Sequence, residues 1–122
     1  MKKLEELKEL TSVNLQREFR ELEDAVETTI QYASRCDLDL MFTRFGVAHR
    51  SANLLRRRAL DQYTDGLITL GDLGGILDAT DKITFRDLPD EIIRNLKTEC
   101  SCGSGEIKMS GKMLEIPIER KG

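Results

Sequence analysis

The chain has 122 residues, which is enough for one hydrophobic core and too few for two independent ones. Apolar residues make up 39% and charged residues 34%, so a disordered or collagen-like chain is excluded and long solvated helix faces are expected. No stretch approaches the roughly 18 uncharged apolar residues of a membrane span. We therefore predict a single domain over residues 1–122 that is cytoplasmic and has no membrane partner.

The first third of the chain has an apolar residue at every third or fourth position, which predicts a long amphipathic helix. Leu4, Leu7 and Leu10 form the first part of this stripe. Thr11-Ser12 can cap or kink the helix, so it begins near residue 2 or restarts near residue 13. The second part of the stripe runs through Leu15, Phe19, Leu22, Val26, Ile30 and Ala33.

A second helical region follows. Asp37 is a predicted N-cap for a short helix through Phe45, and Gly46 provides a left-handed stop. A further helix over residues 47–65 is predicted, ended by Gly66. Its apolar stripe consists of Ala48, Ala52, Leu55, Ala59 and Tyr63.

Two copies of Thr-x-x-Asp predict two short helices within residues 66–98. In each copy the threonine hydroxyl is placed to accept from an amide of the first turn, and the aspartate lies near the positive helix end. The first copy begins at Thr69 and the second at Thr84. In the second copy Pro89 moves the predicted start to Asp87, because proline is tolerated only in the first turn.

The C-terminal segment, residues 99–122, changes to a period of two, which is typical of a β-hairpin. Apolar residues alternate on both sides of Ser110-Gly111: Ile107, Met109, Leu114, Ile116 and Ile118. The predicted fold is therefore α+β and mainly α. It has a long N-terminal helical hairpin over residues 1–65, two short helices, and a C-terminal β-hairpin packed on them.

Residues 100–105, Cys-Ser-Cys-Gly-Ser-Gly, can wrap a tetrahedral metal. They resemble the front half of the SEC-C zinc motif at the tail of the bacterial preprotein translocation ATPase. The second ligand pair of that motif would fall on Gly111 and Lys112, so the motif's own site is missing. A zinc site from the remaining candidates would use Cys100, Cys102, Cys36 and His49. The alternative is a glycine turn after two half-buried, reduced cysteines, because 3 cysteines imply no disulfide framework.

Residues 61–72 resemble an EF-hand loop, with acids at positions 1, 5 and 12 and Gly66 at position 6. Position 3 is Tyr63, which supplies no carboxylate, and position 12 is Asp72, which is too short for the usual bidentate glutamate. We therefore expect no calcium here, and no cofactor other than the candidate zinc.

A basic block on the second helix is a candidate surface for a nucleic acid or a protein partner. Helical spacing places its four arginines on neighbouring sides of the helix. The alternative is internal pairing with the glutamate-rich first helix, because the whole chain is acidic, with a net charge of −3. The block consists of Arg50, Arg56, Arg57 and Arg58.

Catalysis has almost no support, since the chain has 1 histidine, His49, and no glycine-rich phosphate loop after a strand. We predict a small non-enzymatic protein-binding or regulatory module. The alternatives are a nucleic-acid-associated regulator that uses Arg50–Arg58 and a small zinc sensor. We also predict a homodimer, because the first helix is longer than the second and leaves part of its stripe uncovered. The predicted interface is Leu4, Leu7, Leu15, Phe19, Leu22 and Val26.

Overall fold

The computed structural model describes residues 1–11 and 13–100, and every regular element in these ranges is helical. A 3-10 turn, Val13–Leu15, precedes the second helix, and a π-helical turn, Ile83–Asp87, joins the last two helices. The predicted α+β class is wrong, because these residues contain no strand; the residues of the predicted β-hairpin lie outside the described part of the chain. The α-helices are α1 Lys2–Leu10, α2 Gln16–Ser34, α3 Leu38–Thr64, α4 Leu70–Lys82 and α5 Leu88–Glu99.

The chain breaks between α1 and α2, which is the restart that the sequence left open. Thr11 is extended, and its hydroxyl donates to the Lys8 carbonyl at 3.0 Å. Because of this break, α1 leaves the line of α2 and packs against α4. The two helices come so close that a Cβ on Gly75 would lie 2.8 Å from the Leu10 side chain.

This return of α1 removes the basis of the predicted dimer interface. Its side chains are buried in the core of the single chain, so no apolar strip is left uncovered there. Whether the chain forms a dimer stays a prediction. The buried side chains are Leu4, Leu7, Leu15, Phe19, Leu22 and Val26.

The predicted antiparallel pairing of the two long helices is confirmed by α2 and α3. The guanidinium of Arg44 donates to the Thr28 hydroxyl at 2.8 Å across the pair. Asp37 caps α3 by accepting from the Leu40 amide. The predicted stop at Gly46 is wrong: α3 continues through it, because the buried face extends beyond it on both sides, and an interior glycine costs only about 1 kcal/mol.

Capping confirms the first Thr-x-x-Asp copy. At the second copy the predicted start is confirmed, because α5 begins at Leu88 directly after Asp87 with Pro89 in its first turn, but the predicted cap is wrong. The Asp72 amide donates to the Thr69 hydroxyl at 3.0 Å, and the Asp72 carboxylate accepts from the Thr69 amide, so α4 begins with a capping box. At the second copy the chain is already helical, and the Thr84 hydroxyl donates to the Thr80 carbonyl instead of capping. No side-chain cap forms at Asp87.

The π-helical turn lets one buried stripe continue from α4 into α5. Buried residues recur in steps of four from Ile76 to Leu96. Each such step advances more than one α-helical turn, so the stripe would drift around a regular helix. The wider turn, in which the Leu88 amide donates to the Ile83 carbonyl, takes up part of this drift.

One hydrophobic core contains side chains from all five helices. Within it α2 packs against both α3 and α5, whereas α4 packs against α3 and α1. None of the helices in the described ranges is long and apolar enough to cross a membrane.

A candidate binding groove between α3 and α5

The two flanks of α3 have different neighbours. On one flank, Arg44 and Arg58 form ion pairs with the α2 residues Asp24 and Glu18. The opposite flank faces α4 and α5, and helical spacing places Phe42, Phe45, His49 and Arg56 along it.

The C-terminal half of this second flank is covered by α4. Arg56 donates from Nε to the Thr80 hydroxyl at 3.0 Å and from a terminal nitrogen to the Thr84 hydroxyl at 3.4 Å. Both threonine side chains are fully buried. These hydrogen bonds join α3 to α4 and to the π-helical turn, so this half of the flank is closed.

Within residues 1–11 and 13–100, no helix covers the N-terminal half of the same flank. No Cα atom of α3 lies within 8 Å of one of α5, although both helices pack on α2. Two contacts nevertheless link α3 to α5 or to the residues that flank it, one near each end of α5. At one end Cys36 and Cys100 form a disulfide, and at the other the rings of His49 and Phe85 are 5.1 Å apart.

The space between these two joints is a groove, which we call the α3/α5 groove. It runs alongside α3 from Leu38 to His49, which is about 16 Å at 1.5 Å per residue. Pro89 and Ile93 lie on the same side of α5 as Cys100, because Ile93 follows Pro89 by four residues and precedes Cys100 by seven. The apolar side chains along it are Leu38, Phe42, Phe45, Pro89 and Ile93.

Two of these side chains are exposed although they are large and apolar, whereas Leu38 and Phe45 are partly buried against the core. Ile93 is 52% exposed and Phe42 38%, and Phe85 at the end of the groove is 65% exposed. The chain has 4 phenylalanines, and three of them lie along or at the end of this groove. Exposed aromatic groups gathered at one place are typical of an interaction surface.

His49 lies between two aromatic rings at the closed end of the groove. Its ring centroid is 4.7 Å from that of Phe45, and both aromatic contacts of the imidazole are edge-to-face. Partial burial, and secondly the positive charge of Arg56, lower the pKa of His49 below its ordinary value. At neutral pH His49 therefore presents an uncharged surface to the groove.

The predicted zinc ligands do not come together. The cysteines were expected to be reduced, but Cys36 and Cys100 form a disulfide with a Cα–Cα distance of 5.5 Å, so neither sulfur is free to bind a metal. His49 lies at the opposite end of the groove, and Cys102 lies outside the described residues. Within residues 1–11 and 13–100, no three histidine, cysteine or acidic side chains are grouped so as to hold a metal.

The segment that resembles an EF-hand loop has a different role. Asp61 belongs to the last turn of α3, where its carbonyl accepts from the Asp65 amide at 2.9 Å. Gly66 has a φ of +78°, and this left-handed residue ends the turn after α3 as predicted. The Asp72 carboxylate takes part in the capping box of α4.

The structure divides the basic block into two pairs. Arg58 lies 3.5 Å from the buried carboxylate of Glu18, as the internal-pairing alternative predicted, whereas Arg56 is held by the two threonines and not by an acid of the first helix. Arg50 and Arg57 are exposed, and neither has an ion pair within the described part of the chain. These two arginines are seven residues apart and lie on the solvent-facing side of α3, opposite its buried stripe.

The sequence contained a signal for the groove that the predictions missed. Phe42, Phe45 and His49 are spaced three and four residues apart on one helix. The buried stripe of that helix is a different one, which includes Met41 and Ala48. A second stripe beside the buried one indicates a face with another partner. The contribution of α5 had no such signal, because it depends on contacts between distant residues.

No protein family model matches the chain, and no curated protein or solved structure is significantly similar to it. The groove is therefore interpreted from its own geometry and chemistry.

Proposed function

We propose that the protein is a non-enzymatic protein-binding module whose α3/α5 groove receives an amphipathic helix of a partner protein. The observation that carries this proposal is the open N-terminal half of the α3 flank, where Phe42 and Ile93 remain exposed between two joined helices. A groove about 16 Å long matches three turns of a helix, which presents apolar residues at positions i, i+3 or i+4, and i+7.

An exposed arginine directly after the His49 end of the groove supports the choice of partner. Arg50 follows His49 directly, is exposed, and has no ion pair with any described residue. Arg57 lies two turns further along α3, beyond the end of the groove. Arg50 can therefore pair with an acidic residue beside the apolar face of the partner helix.

The test uses a fluorescent synthetic helical peptide with leucines at i, i+3 and i+7 and flanking glutamates, titrated with the full-length protein and followed by anisotropy. We expect a dissociation constant on the order of micromolar, because a three-turn contact is smaller than a standard interface. Ile93→Glu and Phe42→Glu should each weaken binding about tenfold or more. A scrambled peptide of the same composition should bind more weakly.

Leu70→Glu is the matched control, because Leu70 is a 65% exposed leucine at the start of α4, away from the groove. Equal losses in this control and in the two groove variants would contradict the proposal. Nucleic-acid binding is tested in parallel with duplex DNA and single-stranded RNA. Binding that weakens steeply with salt and is lost in Arg57→Ala would favour the nucleic-acid function instead.

A second copy of the chain is the remaining occupant to test. Sedimentation of the 122-residue chain gives its mass against the 13.9 kDa of one copy. A dimer that dissociates in Phe42→Glu would show that the groove is a self-association surface and would replace the proposed partner. The cytoplasmic location stays a prediction, which fractionation of the producing cells can check.

A further inference from the structure

We propose that the Cys36–Cys100 disulfide is a site of thiol–disulfide exchange that reacts with a dithiol. Its reduction releases the last turn of α5 and leaves the α2 and α3 pair folded. The inference concerns the covalent joint at the end of the groove and does not depend on what binds between α3 and α5.

The first observation is the accessibility of the bond. Cys36 is exposed in the turn between α2 and α3, and Cys100 is half-buried at the end of α5. Exchange begins when a thiolate attacks one sulfur of the disulfide, so the reaction needs an accessible sulfur. Exposed disulfides are typically the labile or regulatory ones, whereas structural disulfides are protected.

The second observation is the backbone of Cys36. Its φ is +60°, in the left-handed region, where glycine is the favoured residue. The Cys36 amide donates to the Ala33 carbonyl at 3.1 Å, which is the usual bonding of a glycine just after a helix. A cysteine here adds backbone strain, and such strain is typical of positions whose side chain has a function.

The third observation is what the disulfide holds. Through Leu88, Ile92 and Leu96, α5 is anchored in the core, but the residues from 97 to 99 are exposed. No Cα atom of α5 lies within 8 Å of a Cα atom of α3. The disulfide is the covalent link between the end of α5 and the start of α3. Breaking it removes no buried apolar contact upstream of Leu96.

The reaction balances with the dithiol alone. One thiolate of the dithiol attacks Sγ of Cys36, the S–S bond breaks, and Cys100 leaves as a thiolate that takes up a proton. The second thiolate of the dithiol then attacks the mixed disulfide and displaces Cys36, which is also protonated. The dithiol is oxidised to a disulfide, and the protein disulfide is reduced to two thiols.

The experiment treats full-length Cys102→Ser protein with dithiothreitol in native buffer, so that the two disulfide sulfurs are the only ones followed. Alkylation and mass spectrometry count the free thiols, and hydrogen exchange follows the backbone. We expect both thiols within minutes, and exchange at residues 97–100 should rise about tenfold or more. Exchange in α2 around Phe19 and Leu22 should change less than about twofold. Treatment with an oxidised dithiol should remove the two free thiols and restore the original hydrogen exchange at residues 97–100.

Cys36→Gly provides a second variant, because glycine adopts the left-handed φ without strain and cannot form the disulfide. It should reproduce the exchange pattern of the reduced protein without dithiothreitol. A disulfide that is reduced only after denaturant is added would overturn the proposal in favour of a structural bond. Reduction that speeds hydrogen exchange equally in α2 would also overturn it. So would a protein that forms no Cys36–Cys100 disulfide under oxidising conditions.

Discussion

The two halves of one flank of α3 differ in how they are covered. In the C-terminal half, Arg56 reaches two buried threonines of α4 and the π-helical turn, and the flank is closed. In the N-terminal half, Phe42 is exposed, and among the described residues no Cα atom of α5 lies within 8 Å of one of α3. A helix face that is closed by directional hydrogen bonds at one end and left apolar and open at the other is suited to receive a partner at the open end.

The largest expected effect compares one side chain from each half. Leu55→Ala removes a fully buried side chain and should lower the free energy of unfolding by about 3 kcal/mol, because a cavity remains. Phe42→Ala removes a side chain that is 38% exposed and should cost less, about 1–2 kcal/mol. Urea unfolding followed by circular dichroism measures both. Equal losses would show that Phe42 belongs to the core and that the open half is not open.

A second comparison concerns neighbouring arginines. Arg56→Met should lower the free energy of unfolding by about 1–2 kcal/mol, because the hydrogen bonds to Thr80 and Thr84 are lost. Arg57→Met is the matched control and should stay within about 0.5 kcal/mol of the wild type, since Arg57 is exposed. The same urea titration measures this pair. Similar values for the two variants would mean that Arg56 does not join α3 to α4.

Alanine substitutions at two glycines, one inside α3 and one just after it, should change the free energy of unfolding in opposite directions. Gly46→Ala should raise the free energy of unfolding by about 0.5–1 kcal/mol, because Gly46 is inside α3 and a Cβ there meets nothing within 4 Å. Gly66→Ala should lower it by about 1 kcal/mol, because its φ is +78°. Thermal unfolding resolves both shifts. A loss of stability in Gly46→Ala would mean that the helix does end at this position.

The smallest expected effect is the pH dependence from His49. Because its pKa is lowered in the folded protein, the unfolded chain binds the proton more tightly. The contribution of neutral His49 to the free energy of unfolding is therefore complete above the ordinary histidine pKa of about 6.5. It is lost as the pH falls through the lower pKa that His49 has in the folded protein. The difference in unfolding free energy between wild type and His49→Gln should decrease as the pH is lowered through this range. A difference that grows toward acid pH would contradict the sign.

The predicted helix ends succeeded or failed according to what each depends on. Asp37, Thr69 and Gly66 were assigned correctly, because a cap depends on hydrogen bonds and backbone angles within a few residues. The same reasoning failed at Gly46. There the tendency of glycine to end a helix is outweighed by a buried face that continues from Met41 to Ala59.

The candidate site was less accessible to prediction than the helices. The four arginines of the basic block were correctly placed on one helix, but the sequence did not show which of them would be satisfied internally. That outcome depends on Thr80 and Thr84 for Arg56, and on a buried carboxylate of α2 for Arg58. Such partners lie more than 20 residues away, beyond the reach of helical spacing.

The amino-acid sequence by itself determined the amphipathic stripes, the helix ends at Asp37, Thr69 and Gly66 and the pairing of the two long helices, because each depends on residues within about one helical turn or on one continuous buried face. Only the tertiary structure decided that α1 returns onto α4, that Cys36 meets Cys100 and that His49 meets Phe85. The cysteines are 64 residues apart in sequence. Contacts at such separations arise only when the whole core packs, and the groove between α3 and α5 is one of their consequences.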